Sequence, residues 1–162
     1  MSQCVALPFA NSSEKAQAMV PFNRILLCYD ATPEGRRALR CGAALARQLQ
    51  AETHLLSILD IGWSSGGYEM LSTMKFDIDE EAAKEILQDG IEKLDGWGVP
   101  AMGHFVVGSA VEEIPRLASA LRADLIVIGH RPEGLFSRWW SGDNHALLLN
   151  RVSCGVLFEV SE

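Results

Sequence analysis

The sequence predicts an α/β protein built on an open, five-stranded parallel sheet with helices on both faces. Short apolar runs, typical of buried strands, alternate with segments that carry a helical apolar period. The run at 125–128 is apolar throughout and stops at Gly129, which indicates a strand buried on both faces. It is followed by a glycine-containing loop, an apolar helix and a last strand, so this part of the chain is a βαβ unit.

The first strand is predicted at 24–29 and the second at 53–59. Between them, Thr32 followed by Pro33 predicts the start of a helix that reaches about Gln50. Threonine is a favoured N-cap residue, and proline fits the first helical position because its missing N–H is not needed there.

Residues 60–76 form the longest irregular stretch and are rich in glycine and serine. This length is typical of a functional loop, and we expect the stretch to be the most mobile part of the chain after the N-terminus. Asp77 and Glu80 then resemble a capping box that would begin a helix through Trp97.

The third strand is predicted at 100–107. Ser109 and Glu112 have the spacing of a capping box at the start of the third helix. The fourth helix is expected at 144–152, with Asp143 as its N-cap, before a final strand at 156–160.

Composition restricts the possible functions. A chain of 162 residues that is 48% apolar suits one domain, predicted at 21–162 after an N-terminal arm at 1–20. The arm lacks a basic start and a long apolar run, so it is not expected to be a signal peptide. A net charge of −7 argues against nucleic-acid binding, and the lack of a basic amphipathic segment argues against binding at a membrane surface. The four cysteines show no paired spacing, which favours reduced thiols in a cytoplasmic protein.

No enzymatic motif is evident. The sequence contains no Gly-x-Ser-x-Gly elbow, no P-loop and no cysteine beside a recognisable base, so the protein is expected not to be an enzyme. The histidines at 54, 104, 130 and 145 lack metal-binding spacing, and no metal site is predicted. Asp30, after the first strand, leaves a phosphoacceptor domain as a further hypothesis. The missing acidic cluster argues against it. Asp30 is equally compatible with a simple turn.

The spacing of Gly129, Pro132 and Gly142 resembles the Gly-x2-Gly-x9-Gly-(Ser/Thr) signature of the universal stress protein family. The first strand with its small-residue helix and the segment at 107–114 resemble the same family in order and spacing, and the resemblance extends from about Phe22 to Val160. It implies a Rossmann-like sheet of order 3-2-1-4-5 and a stress-response binding or signalling domain.

The resemblance also implies a site for ATP or AMP. Asp30 and Ala31 would flank the adenine, Ile58 would be the contact from the second strand, and the last loop and helix would hold the phosphates. The candidate cofactor-binding residues are therefore Asp30, Ala31, Ile58, Gly129, His130, Arg131, Gly142, Asp143 and Asn144.

Two departures from the signature predict weak or absent ATP binding. Pro132 has no N–H to donate, which removes a bond worth roughly 1.5–3 kcal/mol to a charged group. Asp143 stands where Ser or Thr would donate, and a carboxylate beside a phosphate costs about 1–4 kcal/mol. Arg131 or a Mg²⁺ ion could offset part of this cost. The alternative function is therefore a Mg-dependent nucleotide switch or weak ATPase.

The strand at 156–160 would lie at the sheet edge in the order that the resemblance implies. No charge or proline interrupts residues 156–158, and the chain ends two residues after Val160, so an uncovered apolar edge is expected. The family resemblance implies a homodimer through this strand. The alternative is that the N-terminal arm covers the edge of its own chain.

Overall fold

The computed structural model describes residues 22–59, 73–130 and 144–160. Its elements, in chain order, are β1 (Arg24–Cys28), α1 (Pro33–Leu49), β2 (Glu52–Leu59), α2 (Thr73–Gly96), β3 (Ala101–Val107), α3 (Ala110–Leu121), β4 (Leu125–His130), α4 (Asn144–Leu149) and β5 (Gly155–Val160). The alternation confirms the α/β class that the apolar periods predict.

The five strands form one parallel sheet in the order β3-β2-β1-β4-β5. The order confirms the architecture that the family resemblance implies. After β1 the chain builds β2 and β3 on one side of the first strand, and then crosses to place β4 and β5 on the other. The carboxyl ends of β2, β1 and β4 consequently lie side by side at one edge of the sheet.

Two apolar layers cover the sheet. On the α1/α2 face, alternate strand residues such as Leu27 and Leu55 pack against α1 and α2. On the α3/α4 face, Leu56 and Ile126 pack against α3 and α4. Cys28 belongs to this second layer, where burial raises the pKa of its thiol.

Helix α1 begins as its sequence predicts. Thr32 is the N-cap, and its hydroxyl oxygen accepts a hydrogen bond of 3.0 Å from the N–H of Gly35, with Pro33 in the first turn. The helix ends where Gln50 adopts a left-handed conformation (φ 53°). The starting position matters because this turn lies at the carboxyl edge of the sheet.

The predicted start of α2 is wrong. The helix begins at Thr73 rather than at Asp77. Residues 73–80 contain no glycine or proline that would stop the helix from extending toward the N-terminus. The predicted mobile loop therefore shortens to 60–72, which lies outside the described residues, and its mobility stays a prediction.

The predicted capping box of α3 is also wrong in its chemistry. Ser109 is the N-cap, but its hydroxyl makes no capping hydrogen bond. Its carbonyl oxygen accepts from the N–H groups of Glu112 and Glu113 at 3.0 and 2.8 Å. The Glu112 carboxylate instead lies 3.7 Å from the Arg151 guanidinium, so it does not reach back to the N-cap.

Helix α4 is shorter than predicted and ends at Leu149 instead of 152. The N–H of Arg151 donates to the carbonyl of Leu148, which tightens the last turn and stops the helix. Asp143, the predicted N-cap, lies outside the described residues. Within the described ranges, no helix has the length and apolar character needed to span a membrane.

Candidate functional site at the carboxyl edge of the sheet

The sheet brings five predicted site residues to one edge. Ile58 lies one residue before the end of β2, and Asp30 and Ala31 lie two and three residues after the end of β1. Gly129 and His130 are the last two residues of β4. Ile58 is buried, at 5% exposure, so it packs beneath the surface at this edge of the sheet.

Asp30 holds the turn between β1 and α1. Its Oδ1 atom accepts a hydrogen bond of 3.0 Å from the N–H of Thr32 and one of 2.6 Å from the Thr32 hydroxyl. Ala31 between them has a left-handed backbone (φ 59°), an uncommon conformation for a residue with a side chain. The turn predicted as the alternative for Asp30 is therefore present, and it fixes the start of α1.

Gly129 allows β4 to touch the first turn of α1. A Cβ atom at this position would lie 2.4 Å from the carbonyl carbon of Glu34 and 2.6 Å from the nitrogen of Gly35. Both atoms belong to the backbone, so neither can rotate away as a side chain would. The glycine of the predicted signature is thus required by the contact between strand and helix.

Two histidines meet above the end of β4. The ring centroids of His130 and His145 are 4.2 Å apart with the planes at 81°, and the Phe158 ring lies 5.3 Å from that of His145. Burial, followed by the neighbouring His130, lowers the pKa of His145. His145 was not a predicted site residue, because it is separated in sequence from the end of β4 and only the packing of α4 brings it beside His130.

The remaining predicted residues cannot be placed in the site. Arg131, Gly142 and Asp143 lie outside the described residues, and Asn144 is described only as the first residue of α4. Within the described ranges, no three His, Cys, Asp or Glu side chains are grouped as metal ligands.

Two histidines with lowered pKa values predict that the stability of the fold depends on pH. The pKa values of His145 and of His104, on β3, are both lowered below 6.5 in the folded chain, mainly by burial. The unfolded chain therefore binds more protons as the pH falls through about 6.5, and the free energy of unfolding decreases.

The midpoint of thermal unfolding should be lower at pH 5.5 than at pH 7.5. A His104→Gln/His145→Gln variant should show a smaller difference between these two conditions. A midpoint that rises on acidification, or a difference unchanged in the variant, would contradict the assignment.

Comparison with known proteins places this fold. Residues 21–158 match the family model described as the universal stress protein family. The chain belongs to the universal stress protein family. This universal stress protein is 23% identical over 141 residues to one from Methanocaldococcus jannaschii, in an alignment that covers 84% of this chain and 81% of the relative.

Solved structures agree on the fold. The chain is similar to a universal stress protein from Burkholderia pseudomallei, with a TM-score of 0.65 and 22% identity over 85% of this chain and 96% of the other. It is also similar to one from Archaeoglobus fulgidus in complex with dAMP, with a TM-score of 0.60 and 19% identity over 85% and 97% of the two chains. Matched structures further include an Arabidopsis thaliana protein with AMP bound and a universal stress protein in complex with cAMP.

Proposed function

We propose that this universal stress protein is a cytoplasmic stress-response protein that binds an adenine nucleotide weakly at the carboxyl edge of β2, β1 and β4. The contact of Gly129 with the backbone of Glu34 and Gly35 is the observation that carries the proposal. This contact lies at the carboxyl ends of β1 and β4, the two neighbouring strands at which the strand order reverses. Open α/β sheets bind ligands in the crevice at such a point.

The crevice is formed by helices on opposite faces. Helix α1, which follows β1, packs on one face of the sheet, whereas Leu148 of α4, which follows β4, packs on the other. The ligands of the relatives, dAMP, AMP and cAMP, are all adenine mononucleotides. Their shared chemistry supports an adenine site beside Asp30, Ala31 and Ile58, with the phosphate toward Gly129, His130 and the loop leading to α4.

The charges at this edge favour a ligand with few phosphates. Asp30 follows β1 and Glu34 lies in the first turn of α1, so two carboxylates border the crevice. Asp143 adds a third by sequence. Each carboxylate within about 4 Å of a phosphate costs roughly 1–4 kcal/mol. Monophosphates are therefore expected to bind better than ATP.

Calorimetric titration tests this expectation. AMP should bind more tightly than ATP in the absence of Mg²⁺, and Mg²⁺ should improve ATP binding by screening its phosphates. GMP is the matched control, since it changes only the base and should bind more weakly than AMP. Equal binding of AMP and GMP, or ATP binding more tightly than AMP without Mg²⁺, would contradict the proposed site.

We further propose that the domain spans residues 21–162, preceded by an arm at 1–20, and that it forms a homodimer through β5. Strand β5 is at the sheet edge, and its Val160 is 52% exposed. Leu147 and Leu149 on the preceding helix are also exposed. Pairing two β5 strands about a two-fold axis would cover unpaired backbone groups on both copies.

Sedimentation should show a dimer that Val160→Lys weakens, because the two-fold axis brings the new charges of both copies close together. Val107→Lys is the matched control, since Val107 is an exposed valine at the end of β3, the opposite edge strand. Deletion of residues 1–20 should leave the dimer intact. A full-length monomer at tens of micromolar, or equal effects of the two lysines, would exclude this interface.

A further inference from the structure

A second group of chemically active side chains lies in the amino-terminal half of the sheet, away from the nucleotide edge. His54 on β2 is the register partner of Met102 on β3, and His104 follows Met102 by two residues. A Cβ on Gly103, between them, would face Ile91 of α2 at 3.5 Å. Successive strand residues point to opposite faces, so Met102 and His104 share the α3/α4 face.

The two imidazoles are in direct contact. The Nδ1 atom of His54 is 3.0 Å from the Nε2 atom of His104, and the other His54 nitrogen, Nε2, is 2.9 Å from a carboxylate oxygen of Glu52. His54 is only 2% exposed. Because a carboxylate can only accept, Nε2 of His54 donates to Glu52, and Nδ1 of His54 shares a proton with Nε2 of His104.

The orientation of His54 is supported from behind. Arg24 donates to the second Glu52 oxygen through Nε at 2.9 Å and Nη2 at 2.8 Å, which fixes the carboxylate. Side-chain hydrogen bonding, first from Arg24, lowers the pKa of Glu52 and keeps it an acceptor. A carboxylate that accepts from the remote N–H of a histidine is the usual support of an imidazole that binds a metal.

We propose that His54, His104 and Met102 form a binding site for Cu(I), with Nδ1, Nε2 and the thioether sulfur as ligands. Because the two ring nitrogens are in contact, one ion can bind both of them in place of the proton that they share. With metal–nitrogen distances of about 2 Å, the two nitrogens would subtend about 95° at the ion. A modest increase in the separation between the two imidazole rings would give a three-coordinate geometry.

The ligand types select the ion. A thioether is a soft ligand that favours Cu(I), whereas Mg²⁺ and Ca²⁺ require oxygen ligands. Glu52 is engaged behind His54 and supplies none. Met102 is 60% exposed at the edge of the sheet, which leaves its sulfur accessible to an arriving ion.

Binding requires no change of oxidation state. Cu(I) enters as Cu(I), two nitrogen bonds and one sulfur bond form, and the proton shared by the two rings moves through solvent to Nδ1 of His104. No other reactant is needed.

The test uses the full chain without oxygen. Transfer of Cu(I) from its bicinchoninate complex should show one tight equivalent per chain. Ag(I), a redox-inert probe of the same preference, should shift one of the five methionine methyl signals in an NMR spectrum, and Met102→Leu should remove that signal. Met102→Leu should weaken Cu(I) binding at least tenfold, and Glu52→Gln by about 10- to 100-fold.

Two controls separate a metal site from a purely structural histidine pair. His145→Gln changes a histidine of the other pair and should leave Cu(I) affinity unchanged, as should Met74→Leu. Circular dichroism should confirm that the exposed Met102→Leu change leaves the fold intact. Cu(I) affinity unaffected by Met102→Leu, binding lost in His145→Gln, or no Cu(I) retained by the native chain would each overturn the proposal.

Discussion

Replacing Gly129 by alanine is expected to reduce the free energy of unfolding by about 3 kcal/mol or more. The new Cβ would meet the backbone of Glu34 and Gly35 at 2.4 to 2.6 Å, where a separation above 3.0 Å is required. Backbone atoms can move only if β4 or the first turn of α1 moves with them. The substitution therefore separates the two walls of the proposed crevice as well as lowering stability.

Urea unfolding measures this loss directly, and the thermal midpoint should fall by about 6–12 °C at roughly 2–4 °C per kcal/mol. Gly96→Ala is the matched control, because a Cβ at the end of α2 meets nothing within 4 Å. It should be neutral or stabilising by about 0.5–1 kcal/mol. A loss below about 1 kcal/mol for Gly129→Ala would show that the contact is not restrictive.

The second large effect is a gain in ATP affinity. Changing Pro132 to glycine together with Asp143 to serine should tighten ATP binding at least tenfold, about 1.4 kcal/mol. Glycine restores a backbone donor and serine replaces a repelling carboxylate by a hydroxyl. Both positions lie outside the described residues, so the expectation rests on the chemistry of the residue types.

Calorimetry on the double variant and on each single variant separates the two contributions. Asp143→Ser alone should account for the larger part at low ionic strength, since it removes a full charge. Unchanged affinity in the double variant would mean that the phosphates do not meet this loop.

Much of the fold could be predicted because local signals coincide with element boundaries. Thr32 and Pro33 identify the start of α1, and the apolar run at 125–128 identifies a buried central strand. The strand order came from the family resemblance, since apolar periodicity alone does not order strands. The start of α2 was missed because a capping box at Asp77 does not prevent a helix from extending further back.

The candidate site was predicted less completely for a physical reason. Asp30 lies just after β1 and Gly129 lies near the end of β4, so their shared edge can be inferred from topology. The pairings of His54 with His104 and of His130 with His145 depend on strand register and on where α4 packs. Neither is contained in sequence spacing. A histidine on each of two adjacent strands was the available signal for the first pair.

Backbone amide NMR during titration with AMP reports both whether a nucleotide binds to this protein and where it binds. We expect shifts that saturate with AMP and are concentrated at Asp30–Gly35, at the end of β2 and at Gly129–His130, with little change at His54 and Met102. No saturable shifts at millimolar AMP, or shifts centred on the amino-terminal half of the sheet, would contradict a nucleotide site at the carboxyl edge.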